Sequence, residues 1–213
     1  MNIVLFGAPG SGKGSQATRI NKKYNLPHIS TGDLFRENIN NKTPLGVIAK
    51  EFINKGELVP DRLVFEILKN RLALPDCKNG FILDGFPRNL AQAIELEKIS
   101  KIDAVIFIDV SMSEIEIRAI NRRICPTCGK IYSMVERYTQ VCDDCGSTLI
   151  QREDDKIDVV RNRIKTYLSQ SEPLIKYYRD KKILKTVLSG NSADETFVEV
   201  DKILSNLSKK SRN

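Results

Sequence analysis

A glycine-rich segment near the N-terminus contains the residues with the clearest chemical potential. Residues 7–15 read Gly-Ala-Pro-Gly-Ser-Gly-Lys-Gly-Ser and follow an apolar run at 2–6. Glycines let successive backbone N–H groups turn inward around an anion, and the lysine can reach the outer phosphates of a nucleoside triphosphate. A chance glycine-rich turn is the alternative, but strand and helix patterns flank the segment as a P-loop requires. The predicted triphosphate-binding residues are Gly10, Ser11, Gly12, Lys13, Gly14 and Ser15.

The position after the lysine departs from the general motif. It is Gly14, where the motif has the Ser or Thr that binds magnesium, and a hydroxyl appears only at Ser15. A second apolar run, at 81–83, ends in Asp84, and this pattern places a carboxylate beside the metal in P-loop enzymes. Because magnesium sites keep several waters, we expect Asp84 to act through metal-bound water. The sequence therefore predicts Mg²⁺ together with the triphosphate.

Four of the five cysteines form two close pairs. Cys125 and Cys128 make one C-x-x-C-G knuckle, and Cys142 and Cys145 make the other. Four thiolates suit tetrahedral Zn²⁺ and leave no open position for water, so the predicted metal is structural. Disulfides and iron are the alternatives, and a reducing compartment favours a metal over disulfides. The remaining Cys77 is expected to be a buried thiol.

Two arginines downstream have a spacing that suits phosphate binding. Arg118 and Arg122 lie four residues apart, on a helix predicted to begin at a capping box at 113–116. Side chains four apart share a helix face, so two guanidinium groups can converge on one phosphate. A solvated basic face is the alternative that spacing alone leaves open. The single histidine, His28, is interpreted as structural rather than as a base.

The elements that must position these residues follow from the apolar patterns. Strands are predicted at 2–6, 27–29, 81–84, 104–110 and 184–188, with amphipathic helices between them. Strands that alternate with helices predict an α/β fold with a doubly wound, five-stranded parallel sheet of P-loop type. Two stretches interrupt the alternation and are interpreted as insertions at 30–59 and 122–155. The core domain then comprises 1–29, 60–121 and 156–213.

Length and composition limit the possible classes of protein. The chain has 213 residues with 41% hydrophobic content, which suits one core with small excursions. The net charge of +7 is compatible with a nucleic-acid or membrane-surface partner, or with an arginine-rich pocket for a polyanion. No signal peptide or membrane-length apolar run is evident, so we expect a soluble, cytoplasmic protein. No element has an apolar seam, so we expect a monomer.

Three separated motifs together resemble the adenylate kinase family of nucleoside monophosphate kinases. They are residues 7–15, the segment Ser-Thr-Gly-Asp-Leu-Phe-Arg at 30–36, and Asp-Gly-Phe-Pro-Arg at 84–88. The resemblance covers nearly the whole chain and includes Gly14, since the family shares that departure. It implies reversible, Mg²⁺-dependent transfer of the terminal phosphate of ATP to AMP, giving two ADP and maintaining adenine nucleotide balance. The cysteine segment resembles the zinc-binding lid of the family's long form, although the thirteen residues between the knuckles are fewer than expected.

The resemblance also implies roles for individual residues. The acceptor AMP is expected under the insertion at 30–59, and the donor adenine under the lid. Matching AMP-binding positions are Thr31, Arg36, Glu57, Leu58, Val59, Gly85, Phe86, Pro87, Arg88, Gln92, Arg152 and Arg163. Matching positions around the transferred phosphate are Lys13, Asp84, Arg88, Arg118, Arg122, Arg152 and Arg163. Donor-nucleotide positions are the P-loop, Arg122, Ile131, Tyr132 and Ser192.

Two rival functions remain open from the sequence. A related kinase acting on UMP, CMP or GMP, or using GTP as donor, is the nearer one, and Thr31 with Gln92 favours AMP. A zinc-ribbon nucleic-acid binder would explain the charge and the cysteines. Against it, the lid has Tyr132 and Tyr138 but no run of interleaved basic and aromatic residues. We therefore expect ATP, AMP and ADP as partners, with no nucleic acid and no membrane.

Overall fold

A parallel sheet covered by helices on both faces forms the body of the computed structural model, which describes residues 1–135, 137–190 and 192–210 except the side chain of Lys210. Residues 211–213, the end of the predicted core segment 156–213, lie outside the described residues. The strands are β1 (Asn2–Phe6), β2 (His28–Ser30), β3 (Phe81–Asp84), β4 (Ala104–Asp109), β5 (Arg122–Ile124), β6 (Ile131–Ser133) and β7 (Leu184–Leu188). The helices are α1 (Lys13–Tyr24), α2 (Thr31–Asn40), α3 (Pro44–Lys55), α4 (Asp61–Leu72), α5 (Leu90–Ile99), α6 (Met112–Ile120), α7 (Ile157–Asp180) and α8 (Ala193–Lys210).

The main sheet has the strand order β2-β3-β1-β4-β7, and all its described pairings are parallel. This confirms the predicted α/β class and the doubly wound parallel sheet. Strands β1, β3 and β7 have the predicted bounds, whereas β2 both starts and ends one residue later than predicted and β4 ends one residue earlier. Leu5 pairs with Asp84, so the carboxyl ends of β1 and β3 meet at one edge of the sheet.

The core has two layers because successive side chains of a strand point to opposite faces of the sheet. In β1, Val4 and Phe6 are buried in the cluster that α4, α5 and α7 cover. Ile3 and Leu5 are buried in the opposite cluster, against α1 and α8. None of the described helices is both long enough and apolar enough to cross a membrane.

Helices α2 and α3 form the first interruption of the strand–helix alternation. Each begins with a side-chain cap, since Ser30 Oγ accepts a hydrogen bond from Asp33 N at 3.2 Å and Thr43 Oγ1 accepts one from Gly46 N at 3.0 Å. A Cβ on Gly46 would lie 2.2 Å from the Asn38 carbonyl oxygen. Glycine at this position therefore allows the start of α3 to pack directly against the end of α2.

The cysteine segment forms the second interruption. Strands β5 and β6 pair antiparallel, with Arg123 opposite Tyr132. Isolated bridges join Ile124 to Ile150 and Val141 to Thr148. The buried apolar cluster of this segment consists of Cys125, Tyr132, Cys142 and Leu149. Such a small cluster is too little to stabilise a fold by hydrophobic burial alone.

The expected start of α6 was wrong by two residues. The N-cap is Ser111, not Ser113, because the chain leaves β4 at Asp109 and turns at once. Ser111 Oγ donates to Glu114 Oε2 at 2.8 Å rather than capping a backbone N–H. The helix also ends at Ile120, so Arg122 lies in β5 and does not share a helix face with Arg118.

Candidate active site

A cleft of about 720 Å³ lies at the edge of the sheet where β1 and β3 end. Parallel α/β sheets bind ligands at this edge, beyond the carboxyl ends of the strands. The described lining contains four carboxylates, namely Asp33, Glu57, Asp84 and Asp154. It contains seven cationic side chains, namely Lys13, Arg36, Arg88, Arg118, Arg122, Arg152 and Arg163. The cleft is therefore built for a polyanion.

The P-loop closes tightly between β1 and α1. Gly10 has φ 81, and a Cβ there would lie 2.9 Å from the Ile115 carbonyl oxygen, so both conformation and space require glycine. Lys13 Nζ donates to the carbonyl oxygens of Gly7 and Ala8, both at 2.8 Å. Loss of solvation lowers the pKa of Lys13 to about 8, with Asp84 opposing the shift and nearby arginines adding to it. A bound polyanion would stabilise the charged lysine.

Asp84 lies at the end of β3 and faces the P-loop. Burial alone would raise its pKa, but a hydrogen bond from His28 and the charge of Lys13 hold it below the usual range. A Cβ on Gly14 would lie 3.6 Å from Asp84 Oδ2, so the missing side chain at Gly14 leaves space beside this carboxylate. An ionised carboxylate with open space beside it fits a magnesium ion held through water.

His28 lies beside Asp84 in the cleft, a contact that was not predicted from the sequence. Its Nε2 lies 3.3 Å from Asp84 Oδ2, and it lines the cleft. The sequence offers little signal for this contact, because the two residues are far apart along the chain. The parallel pairing of β2 with β3 brings them together.

Buried carboxylates hold two of the predicted arginines. Arg122 Nε donates to Asp155 Oδ2 at 2.8 Å, and its Nη2 donates to the other carboxylate oxygen. Arg163 Nη1 lies 2.9 Å from Asp154 Oδ2 and donates to the Asp154 carbonyl at 2.7 Å. Asp155 is 0% exposed, and its side chain, rather than a helix register, places Arg122 in the cleft. Sequence reasoning named the arginines but gave these aspartates no role.

Two other arginines lack such support. Arg88 donates from Nε to the Gly85 carbonyl at 2.7 Å, and no described carboxylate lies within ion-pair distance of it. Arg152 has a buried Nε without a described partner, and its nearest carboxylate oxygen, on Asp33, is 3.9 Å away. Burial and the charges of Arg36 and Arg122 lower the pKa of Arg152 to about 10. Arg88 is exposed in the cleft, so its remaining N–H groups can meet a ligand.

Arg118 also lines the cleft, from α6. Its Nη1 donates to Ser189 Oγ at 2.9 Å and its Nη2 to Glu114 Oε1 at 3.1 Å. It therefore reaches the cleft together with Arg122, although the two come from different elements. The tertiary structure produces the convergence that was expected from helical spacing.

The predicted acceptor residues gather on the other side of the cleft. Thr31 Oγ1 donates to the Gly85 carbonyl at 3.0 Å, and Arg36 pairs with Asp33. The rest of this lining includes Glu57, Leu58, Val59, Gly85, Pro87, Arg88 and Gln92. Phe86 is the exception among the predicted residues, because its ring is 1% exposed and packs edge-on against Phe65 in the core. Its side chain therefore does not face the cleft.

Gln92 is held by protein partners on both ends of its amide. Its Oε1 accepts a hydrogen bond from Arg88 N at 2.7 Å, and its Nε2 donates to Asp61 Oδ1 at 2.7 Å. Each end keeps one further hydrogen-bonding position. Asp61, the first residue of α4, fixes the orientation of this amide and was not singled out from the sequence.

The three residues predicted to lie near the adenine of the donor nucleotide differ in their exposure and in their contacts. Ile131 is 39% exposed, and its Cδ1 lies 3.8 Å from where a Gly14 Cβ would be, so it lies over the P-loop. Ser192 lines the cleft, and its Oγ accepts a hydrogen bond from Glu195 N at 3.1 Å. Tyr132 borders the cleft but is buried, and its hydroxyl points into the cysteine cluster, so its ring is not a free stacking surface.

The four predicted metal ligands are brought together. All four Sγ atoms of Cys125, Cys128, Cys142 and Cys145 lie within 4.8 Å of one another. The Cys125–Cys145 and Cys128–Cys142 separations are 3.4 and 3.5 Å. Tetrahedral Zn²⁺ with Zn–S bonds of about 2.3 Å requires sulfurs about 3.8 Å apart. The cluster therefore fits zinc.

The parallel sheet, the P-loop after β1 and the carboxylate that ends β3 define a P-loop phosphate-binding protein. The family model for adenylate kinase matches residues 5–183. The adenylate kinase of Clostridium tetani is 48% identical over 96% of this chain and 98% of the relative. The adenylate kinase of Acetivibrio thermocellus is 50% identical over 96% of this chain and 98% of the relative. The adenylate kinase of Methanocella arvoryzae is 45% identical over 94% of this chain and 96% of the relative. The chain belongs to the adenylate kinase family.

Proposed function

We propose that this chain catalyses the reversible transfer of the terminal phosphate of ATP to AMP, giving two ADP. The observation that carries the proposal is the position of Arg88 and Arg152. Neither forms a hydrogen bond to a described carboxylate, and both lie in the cleft that the P-loop shares with the acceptor residues. Cations arranged in this way favour a ligand with phosphates on both sides. The names of the relatives support the same reaction.

The donor triphosphate would lie along the P-loop. Backbone N–H groups of residues 10–15 would bind its phosphates, and Lys13 would leave the loop carbonyls to reach them. Bound magnesium would neutralise part of the phosphate charge. Asp84 is ionised and would hold the ion through water. Ile131 and Ser192 would flank the donor base, while Tyr132 would contribute through its backbone.

The acceptor would lie between α2 and the segment that follows β3. Thr31 and Arg36 would border it, and Arg88 would bind its phosphate through the N–H groups that Gly85 does not use. Gln92 would read the adenine with the two hydrogen-bonding positions left by Arg88 and Asp61. An amide fixed in orientation discriminates between bases better than a rotating one.

The reaction itself needs no covalent intermediate and no base. Phosphate monoesters are largely ionised near pH 7, so catalysis reduces to alignment and charge stabilisation. Lys13, Arg118 and Arg122 would hold the transferred group from the donor side. Arg88, Arg152 and Arg163 would hold it from the acceptor side.

The two insertions would exclude water from the transfer. We propose that 30–59 and 122–155 are covers that close over the nucleotides, on a core formed by 1–29, 60–121 and 156–213. Closure would prevent water from accepting the phosphate. Structural Zn²⁺ on the four cysteines would hold the lid together, since four protein ligands leave no open position.

The test is direct product analysis by ³¹P NMR after mixing the protein with Mg²⁺, ATP and one nucleotide acceptor. We expect two ADP per ATP consumed with AMP, slower turnover with UMP, CMP or GMP, and loss of turnover with EDTA. Faster turnover with another monophosphate, or with GTP as donor, would assign the chain to a neighbouring specificity. Salt-sensitive retention on DNA without ADP formation would refute the proposal.

We further propose that the chain acts as a cytoplasmic monomer that balances adenine nucleotides. The supporting observation is that one chain supplies both the predicted donor residues and the predicted acceptor residues of the cleft, so the proposed reaction needs no second chain. Light scattering during size-exclusion chromatography should report a mass near 24.1 kDa. A dimer at assay concentrations would contradict the monomer proposal without affecting the reaction.

A further inference from the structure

The small core of the lid contains one polar aromatic side chain. Tyr132 in β6 is 8% exposed and clusters with Cys125, Cys142 and Leu149. Burial of a tyrosine requires a partner for its hydroxyl. Here the partner is one of the four cysteines.

The hydrogen bonds around this hydroxyl have a defined direction. The backbone N–H of Asp143 lies 3.0 Å from Tyr132 Oη, and an N–H can only donate, so the oxygen accepts there. Cys142 Sγ lies 3.2 Å from the same oxygen. A metal-bound thiolate can only accept, so the one hydroxyl hydrogen is left for this sulfur.

We propose that Tyr132 is a positioning residue for the lid metal, acting through a hydrogen bond from its hydroxyl to the Cys142 thiolate. The inference rests on the proposed zinc site. Outer hydrogen bonds fix the orientation of a ligand and spread its charge, and removing one typically weakens metal affinity by about 10–100-fold.

Neighbouring charges hold the ring in place. The Arg137 guanidinium lies 4.6 Å from the ring centroid, and the Lys130 ammonium lies 5.5 Å from it. Arg137 Nη1 is itself held by Asp143 Oδ2 at 3.0 Å. Four thiolates and Zn²⁺ carry a net negative charge, so two cations beside the ring stabilise the cluster as well as the tyrosine.

The contact between Tyr132 and Cys142 connects the metal site with the proposed donor site through the paired strands β5 and β6. Tyr132 pairs with Arg123, and the adjacent pair in the same ladder is Arg122 with Ser133. The residue on the other side of Tyr132 is Ile131, which lies over Gly14. The side chain that orients Cys142 is therefore in the strand that covers the P-loop and pairs with the strand of Arg122.

The test compares Tyr132→Phe with Tyr138→Phe, its matched control. Tyr138 is in the same lid, is 99% exposed and has no described contact with a cysteine sulfur. Zinc affinity is measured by competition with a chromophoric chelator. We expect Tyr132→Phe to bind zinc about 10–100-fold more weakly and Tyr138→Phe to match the wild type. Equal affinity of Tyr132→Phe and wild type would overturn the inference.

A second measurement separates metal support from ordinary packing. Tyr132→Phe should lower the Tm of the zinc-loaded protein more than that of the metal-stripped protein, because both lose the hydrogen bond from Asp143 N but only the former loses support of a metal ligand. A purely structural role would lower both Tm values equally and would overturn the inference. With Co²⁺ in the site, the thiolate-to-metal absorption band should shift to lower energy in Tyr132→Phe, since a hydrogen bond stabilises the sulfur electrons. Wild-type protein that binds no zinc would refute the metal proposal itself.

Discussion

Arg88→Ala removes a positive charge that forms no ion pair with a described carboxylate. The only described hydrogen bond from its side chain goes from Nε to the Gly85 carbonyl, so four of its five N–H groups remain for a ligand. Loss of a clamp on developing charge typically costs about 10²–10³ in kcat, or about 2.7–4 kcal/mol of transition-state stabilisation. We expect that loss in Arg88→Ala, together with a higher KM for AMP.

The same substitution should leave the folded state intact, and this contrast comes from the structure. No described carboxylate pairs with Arg88, so no charge is stranded when it is removed. Arg122 differs, because it forms two hydrogen bonds with the buried carboxylate of Asp155. Breaking a buried pair typically costs about 3–5 kcal/mol. Arg122→Ala should therefore lose both activity and stability, whereas Arg88→Ala should lose activity alone.

A coupled steady-state assay with AMP and ATP varied separately measures the first effect, and thermal denaturation measures the second. Arg161→Ala is the matched control, because Arg161 is an exposed arginine that pairs with Glu116 outside the cleft. Arg88→Lys should recover part of the rate, since it restores the charge but not the planar fork. Wild-type kinetics in Arg88→Ala, or a fall in its Tm as large as that of Arg122→Ala, would refute the reasoning.

Three further predictions follow from charges and from the metal. Asp155→Asn removes a fully buried carboxylate from Arg122 and Arg163. It should lower the free energy of unfolding by about 3–5 kcal/mol. A loss below about 1 kcal/mol in urea denaturation would contradict this prediction. Because the pKa of Lys13 is lowered to about 8, the lysine loses its charge as the pH rises through that value. The Kd for ATP, measured by calorimetry, should therefore rise by up to about tenfold per pH unit above pH 8. A Kd that does not change with pH would argue against this pKa. Stripping metal from the four cysteines should lower the Tm while activity at low temperature largely survives; immediate loss of activity in folded, metal-free protein would point to a catalytic metal.

Local patterns were sufficient for the elements that depend on near neighbours in the chain. The bounds of β1 and β3 follow from short apolar runs, and the P-loop between β1 and α1 follows from its glycines and lysine. The cysteine cluster was predictable too, because two C-x-x-C-G knuckles have few alternative uses in a reducing compartment. The same reasoning placed the N-cap of α6 two residues late. Capping boxes are degenerate, and only the end of β4 decides which serine has the extended backbone.

By itself, the sequence determined the class of fold, the phosphate loop and the residues of the metal cluster, since each depends on residue type and short spacing. The tertiary structure alone decided which partner each charged or polar side chain has. Arg122 reaches the cleft through Asp155, 33 residues away, and His28 reaches Asp84 across 56 residues. The Tyr132 hydroxyl contacts Cys142 Sγ, which was not predicted from the sequence. Such contacts form through space after strands pair and loops close, and no local pattern in the chain specifies them.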